Sequence, residues 1–288
     1  MSARSTSSED GGNESERKTG AAAPGAAAKR PLIYSHRCLG FGHPENSLRG
    51  LRDALASRVD GIEFDVRLTK DHKWVTIHNP FFRSEERSVL RVHTKTYGQI
   101  KREVTLLDTM LALFATHSDG KRLMIDMKDV GEERQIVRMI QKYDLYNQVT
   151  VIAWEPEVLR RVHALDRDIK IGFSYIPIHS TLTFVKGTAK DRLSRHKVVM
   201  NFNAMHRFDE RFSKGHTNQH YLSRIPDLPL TSIQVFSIFC SAKLVRRAHE
   251  KRMSVIAFVV NSRINAALLR RRGVDGILTN RPTTFLRV

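Results

Sequence analysis

Apolar residues along the chain fall into short β-branched runs, most of them followed by a stretch of helical length or periodicity. The runs are Leu32–Ser35, Gly61–Leu68, Arg122–Met127, Val149–Ala153, Ile169–Ser174, Val198–Phe202, Val255–Val260 and Val274–Thr279, eight in all. A ninth, Trp74–His78, follows the second run through the turn-like Lys70–Lys73, too closely for a crossover helix, and is expected as an accessory strand. Helical patterns occupy Ser47–Ser57, Leu106–Thr116, Glu132–Tyr143, Glu155–Leu165, Ala242–Lys251 and Arg263–Arg271. Strand and helix repeating over about 250 residues predict an α/β protein, a (β/α)8 TIM barrel. Periodicity alone leaves a doubly wound open sheet as the competitor.

This pattern begins abruptly. Residues 1–30 consist of Ser, Gly, Ala and charged side chains, with no aromatic residue and no β-branched residue other than Thr. Such a segment cannot bury enough apolar surface to fold alone. The expected organisation is a disordered low-complexity tail over 1–30 and a single domain over 31–288.

Composition narrows the class. In 288 residues, 41% hydrophobic content suffices for a core. No run reaches the roughly 20 apolar residues needed to cross a bilayer, and the first 30 lack the apolar centre of a secretory signal. A cytoplasmic protein is the expectation. Cys38 and Cys240 form neither a multi-bridge framework nor a CxxC pair. Lys plus Arg number 48 against 30 Asp plus Glu, so the net charge is 48 − 30 = +18, and only +1 of it lies in the first 30 residues. Between Ser241 and Arg272 nine basic residues face Glu250 alone. That surface attracts anions, whether phosphate substrates, an anionic membrane surface or nucleic acid. No RNA-binding motif or zinc finger accompanies the charge, so no specific nucleic-acid partner is expected.

The candidate chemistry comes from breaks in the apolar pattern. Parallel strands covered on both faces should read as almost continuous apolar runs, yet His36 and Arg37 close the first strand and His78 ends the accessory strand. Glu63 and Asp65 lie two apart on the second strand, as do Asp126 and Lys128 at the end of the third. A spacing of two puts both side chains on one face. Buried charges cost several kcal/mol each unless paired or bound to an ion. Three converging carboxylates suit a hard divalent cation, Mg2+ or Ca2+, and two histidines beside it can divide general acid and base work. Taken singly, each has an ordinary structural alternative: a solvent-facing E-x-D, a hydrogen-bonded strand-end histidine, an ion pair.

The stretch HRCLGFGHPENS followed by GIEFDVRLTKDHKWVTIHN resembles the signature of the glycerophosphodiester phosphodiesterases. The similarity continues through MIDMK, VIAWEPEVLRRV, LVRRAHEK and VIAFVVNS to GVDGILTNRP. The resemblance implies a (β/α)8 barrel. It implies that His36 and His78 are the catalytic acid/base pair, that Glu63, Asp65 and Asp126 are the metal ligands of one Mg2+ or Ca2+, and that Arg37 and Lys128 hold phosphate oxygens. Glu45 and Asn46 would shape the rim, and Phe258 falls where the family usually has a Trp against which substrate packs. The implied reaction converts a glycerophosphodiester to glycerol 3-phosphate and an alcohol, in phospholipid and glycerol metabolism.

The sequence also departs from that pattern. Asp126 replaces a usual Glu, Asn79 follows the second His where Asp is common, Asn280 replaces the Asp of a T-D-R-P ending, and Cys38 stands where Gly is usual. The segment between His78 and Leu106 is short, implying a reduced insertion. Two alternatives remain. One is a lysophospholipase D acting on lysophospholipids, with the basic region docked peripherally on membrane; the other is a barrel that binds phosphate or lipid without turnover.

Overall fold

A computed structural model of the chain describes residues 30–83, 89–175 and 225–286. The elements in chain order are β1 (Leu32–Ser35), α1 (Leu48–Ala56), β2 (Gly61–Leu68), β3 (Trp74–Thr76), β4 (Phe81–Arg83), β5 (Val89–Arg91), a short α2 (Tyr97–Ile100), β6 (Thr105–Leu106) and α3 (Leu107–His117). They continue with β7 (Arg122–Met127), α4 (Glu133–Lys142), β8 (Val149–Ala153), α5 (Pro156–Leu165), β9 (Lys170–Tyr175), β10 (Ser232–Phe236), α6 (Ala242–Glu250), β11 (Ser254–Phe258), α7 (Arg263–Arg271) and β12 (Gly276–Thr279).

Eight of these strands pair in parallel in the order β1-β2-β7-β8-β9-β10-β11-β12, and β12 pairs back onto β1 to close the ring. This is the TIM barrel that the strand count predicts. Its sixth stave is Ser232–Phe236, a segment the apolar pattern does not reveal because Ser232 and Gln234 interrupt it. The strand expected at Val198–Phe202 lies outside the described residues. β3 runs antiparallel to β2, and β6 antiparallel to β3; the antiparallel hairpin β4–β5 fills the short connection after His78.

Alternation along each stave divides the core in two. Ile62, Phe64, Leu123, Ile125, Val151, Ile171, Phe173, Ile233, Val235, Val255 and Ala257 point outward, into the large buried layer shared with the helices. Tyr34, Met124, Ile152, Ile256 and Leu278 point inward and fill the barrel. The ring of Tyr34 lies against Gly61, where an added Cβ would sit 2.4 Å from its Cε1, so β2 must begin with a residue lacking a side chain. The helices start where the sequence supplies caps: Ser47, Ser241 and Ser262 each accept a backbone N–H from the first turn of α1, α6 and α7. Among the described residues no helix is long and apolar enough to cross a membrane.

Candidate active site

Sites in this architecture form at the C-terminal ends of the staves. There the barrel carries its charged residues. On β2 the inward positions are Glu63 and Asp65, with Asp126 directly opposite Asp65 in the β2–β7 register. The three are 2%, 1% and 6% exposed. One carboxylate oxygen from each lies within 4.8 Å of the others. Lys128, two residues past Asp126 and donating its backbone N–H to the Val66 carbonyl, turns its Nζ onto Asp65 Oδ1 at 2.8 Å and onto Asp126 Oδ2.

The loop after β1 reaches over the same carboxylates. Arg37 donates its backbone N–H to Glu63 Oε2 at 2.8 Å, places Nη1 3.0 Å from Glu45 Oε2 and Nε 3.4 Å from Asp65 Oδ2. Three non-glycine residues of this loop take left-handed backbone: Arg37 (φ 56°), Cys38 (φ 58°) and Asn46 (φ 58°). Cys38 therefore occupies the conformation glycine favours. Helix α1 packs directly beneath; a Cβ on Gly50 would fall 2.6 Å from the Cys38 carbonyl oxygen. Cys38 itself is fully buried, and burial together with Glu63 pushes its thiol well above the ordinary range.

Asn46 is expected from the sequence at the rim, but it is 3% exposed and lies under Asp65. Its Nδ2 donates to Asp65 Oδ2 and its Oδ1 accepts the Asp65 backbone N–H, both at 3.0 Å. Its own carbonyl accepts Thr76 Oγ1 at 2.8 Å. Glu45, its neighbour, stands at the half-exposed edge with Arg37.

Both histidines face this group. His36 sets Nδ1 2.6 Å from Asn280 Oδ1 and Nε2 3.8 Å from Glu63 Oε2. His78 sets Nδ1 3.1 Å from Asn79 Oδ1. Arg67, the next inward residue of β2 after Asp65, donates Nε to the His78 carbonyl at 2.8 Å and Nη1 to Asp129 Oδ1 at 2.7 Å. Arg67 and Asp129 were not among the sequence candidates, although the inward series Glu63, Asp65, Arg67 at spacing two points to the arginine. Phe258 ends β11 at the barrel mouth. Its ring meets Trp154 edge-on at a 5.9 Å centroid distance and Phe236 at 5.4 Å.

Electrostatics follows from this packing. Burial, then Asp65 and Asp126, pushes the Glu63 carboxyl well above the usual range. Burial likewise raises Asp126 despite Lys128. Burial opposes ionisation of Asp65 too, yet Lys128 and Arg37 overcome it and hold that carboxyl well below the usual range. Burial and then Arg37 lower His36 to about 4; burial, with a contribution from Lys128, lowers His78 to about 3. Both imidazoles are therefore neutral near pH 7.

The residues fit a divalent cation. Three carboxylates converge, two of them held in the high-pKa condition that a neighbouring cation relieves, and Asp126 Oδ1 is buried with no hydrogen-bond partner. An all-oxygen donor set of this kind suits Mg2+ or Ca2+.

The model of the glycerophosphoryl diester phosphodiesterase family matches residues 36–284. A glycerophosphodiester phosphodiesterase of Bacillus altitudinis is 22% identical over 275 residues, which cover 89% of this chain and 97% of that relative. Among solved structures, a Galdieria sulphuraria protein provisionally given the same designation superposes with a TM-score of 0.70 at 18% identity, over 91% of this chain and 99% of its own. An Oleispira antarctica phosphodiesterase in complex with its product sn-glycerol-3-phosphate superposes with a TM-score of 0.61 at 17% identity, over 88% of this chain and 94% of its own.

Proposed function

The chain belongs to the glycerophosphoryl diester phosphodiesterase family, and from that membership and the site geometry we propose that it is a metal-dependent hydrolase converting glycerophosphodiesters to glycerol 3-phosphate and an alcohol. The observation that carries the reading is the convergence of Glu63, Asp65 and Asp126, buried at the C-terminal end of the barrel beside His36 and His78. Charge supports the substrate class, since Arg37 and Lys128 place two cations beside the cluster, where a phosphodiester anion would bind.

Glu63, Asp65 and Asp126 would hold the cation, which when bound supplies charge stabilisation to the phosphoryl oxygens. The protein's own residues supply the rest. Arg37 and Lys128, half-buried and fixed by their carboxylate partners, present positive charge to phosphate oxygens without reorganising during the reaction. One imidazole takes the proton from the neighbouring glycerol hydroxyl as it attacks phosphorus, the other delivers a proton to the departing alcohol oxygen, and water then opens the resulting cyclic phosphate to glycerol 3-phosphate. Lowered histidine pKa values suit the first role directly. The second requires a ring protonated in the substrate complex, where the phosphate charge favours it. In metabolic terms this activity belongs to phospholipid and glycerol turnover.

A second reading, hydrolysis of lysophospholipids, draws on the half-buried rings of Trp154, Phe236 and Phe258 at the mouth, which offer an apolar wall. Contact with an anionic membrane surface belongs to that reading. Lys243, Arg246, Arg263 and Arg271 are exposed on α6 and α7, where Ile264 stands 85% exposed.

The test is release of glycerol 3-phosphate from glycerophosphocholine, measured with and without chelator and with Mg2+ or Ca2+ restored. Metal-restored turnover is expected. Binding of the substrate with no turnover under any cation would instead leave a phosphate-binding barrel, and a faster rate on lysophosphatidylcholine would favour the second reading.

A further inference from the structure

Both histidines of the site are held at Nδ1 by an asparagine, not by a carboxylate. Asn280 Oδ1 lies 2.6 Å from His36 Nδ1, and Asn79 Oδ1 lies 3.1 Å from His78 Nδ1. The two contacts come from opposite directions in the chain. Asn280 follows β12, and its backbone N–H is tied to Asn261 Oδ1 at 2.9 Å, an oxygen that also accepts Thr279 Oγ1 at 3.2 Å. Asn79 is adjacent to His78, whose carbonyl is fixed by Arg67 and through it by Asp129.

An amide oxygen can only accept, so a ring nitrogen bonded to it must carry the hydrogen. A neutral imidazole with its proton on Nδ1 has its lone pair on Nε2. For His36 that nitrogen faces Glu63 Oε2 across 3.8 Å, on the side of the carboxylate cluster. We propose that Asn280 and Asn79 are a matched pair of positioning residues that lock His36 and His78 in the same Nδ1–H tautomer, each presenting an Nε2 lone pair to the site. A carboxylate in either place would fix the same tautomer but would also stabilise an imidazolium. The amide fixes the tautomer through a neutral partner.

The inference rests on the reading of His36 and His78 as the acid/base pair, and its test separates the two. Long-range proton–nitrogen spectra of the 15N-labelled full chain report each ring's tautomer without any turnover, with signals assigned by His36→Gln and His78→Gln. Both rings are expected in the Nδ1–H form. Asn280→Ala should scatter His36 into mixed tautomers and lower kcat on glycerophosphocholine by about 10- to 100-fold, the usual cost of losing an orienting partner, while KM moves less than about threefold. Asn280→Asp, which keeps the acceptor, should hold the Nδ1–H form and recover much of the rate; Asn79 should repeat the pattern. Where Asn280→Ala fails to fold, Asn280→Ser and the unsubstituted protein's own spectrum carry the test. Nε2–H signals in the active wild-type protein, or an alanine variant with unchanged tautomer and kcat, would overturn the proposal. Nδ1–H rings in a wild-type protein that releases no glycerol 3-phosphate would sink the functional reading and leave this one standing.

Discussion

Asn46 offers the sharpest test of how the site is built, because its side chain does two things for one carboxylate. Substitution to Ala removes the Nδ2 donor from Asp65 Oδ2 and the Oδ1 acceptor from the Asp65 backbone N–H, both at 3.0 Å and both buried. A hydrogen bond to a charged group contributes about 1.5–3 kcal/mol, and a buried N–H left without an acceptor costs about 1–3 kcal/mol. The backbone adds to this, since Asn46 sits at φ 58°, where Ala is disfavoured by roughly 1 kcal/mol. The sum is roughly 3.5–7 kcal/mol, a large share of the about 5–15 kcal/mol that stabilises a typical domain. With a urea m-value of about 2.5 kcal/mol per M, the midpoint should fall by roughly 1.5–3 M. Asn46→Asp separates the parts: it keeps the acceptor and tolerates the backbone, but places a fourth carboxylate beside Asp65. Its expected signature is a smaller loss of stability in the metal-free protein that added cation largely restores. A shift under about 1 kcal/mol for Asn46→Ala, with wild-type cation dependence, would refute the argument that Asn46 holds Asp65 in place.

Three further outcomes follow from the same geometry. Removing either imidazole, His36→Ala or His78→Ala, should lower kcat on glycerophosphocholine by about 100-fold or more with circular dichroism unchanged; near-normal turnover in either variant removes that ring from the acid/base pair. Cation affinity should increase with pH. Glu63 and Asp126 are held above the usual carboxyl range, so in the metal-free protein they retain protons that the ion must displace, and that competition fades as pH climbs through their raised pKa values. Calorimetric titrations between about pH 5 and 8 that show flat affinity would contradict this assignment of ligands. Finally, on the lysophospholipid reading, vesicles containing phosphatidylserine should retain the protein at low salt, and Lys243→Glu with Arg246→Glu should release it by about fivefold or more per charge; equal binding to neutral vesicles would remove the membrane from that reading.

Legibility in the sequence was uneven for reasons that can be stated residue by residue. The runs at 32–35, 61–68, 122–127 and 149–153 coincide with β1, β2, β7 and β8 because each alternates between two buried faces and stops at a loop residue. Ser232–Phe236 escaped because its inward positions are polar: Gln234, 1% exposed, donates to Ser232 Oγ inside the barrel. The last inward residue of β11 is Phe258, and Val259 then turns out of the strand at φ 59°, so the run expected to reach Val260 ends early. In the site, the inward series from Glu63 to Arg67 was visible as spacing. Asn46 under Asp65 and Asn280 against His36 were not, since contacts across 19 and 244 residues depend on loop conformation rather than on period.

Asp126 shows how strand register decides where a short side chain delivers its carboxylate. In the β2–β7 ladder Asp126 is the direct Cα partner of Asp65, not of Glu63, so its carboxylate begins one step nearer the mouth than Met124, the partner of Glu63. A short side chain from that step still brings an oxygen within 4.8 Å of both other carboxylates. On the lysine side, Lys128 Nζ reaches both Asp65 and Asp126, while Asp126 Oδ1 stays buried without a hydrogen-bond partner. The cost of three buried carboxylates is thus split, Asp65 being neutralised by fixed cations and Glu63 with Asp126 left in need of one. That division leaves the unbalanced negative charge on Glu63, beside His36, and on Asp126 of β7, while Lys128 contacts both Asp65 and Asp126.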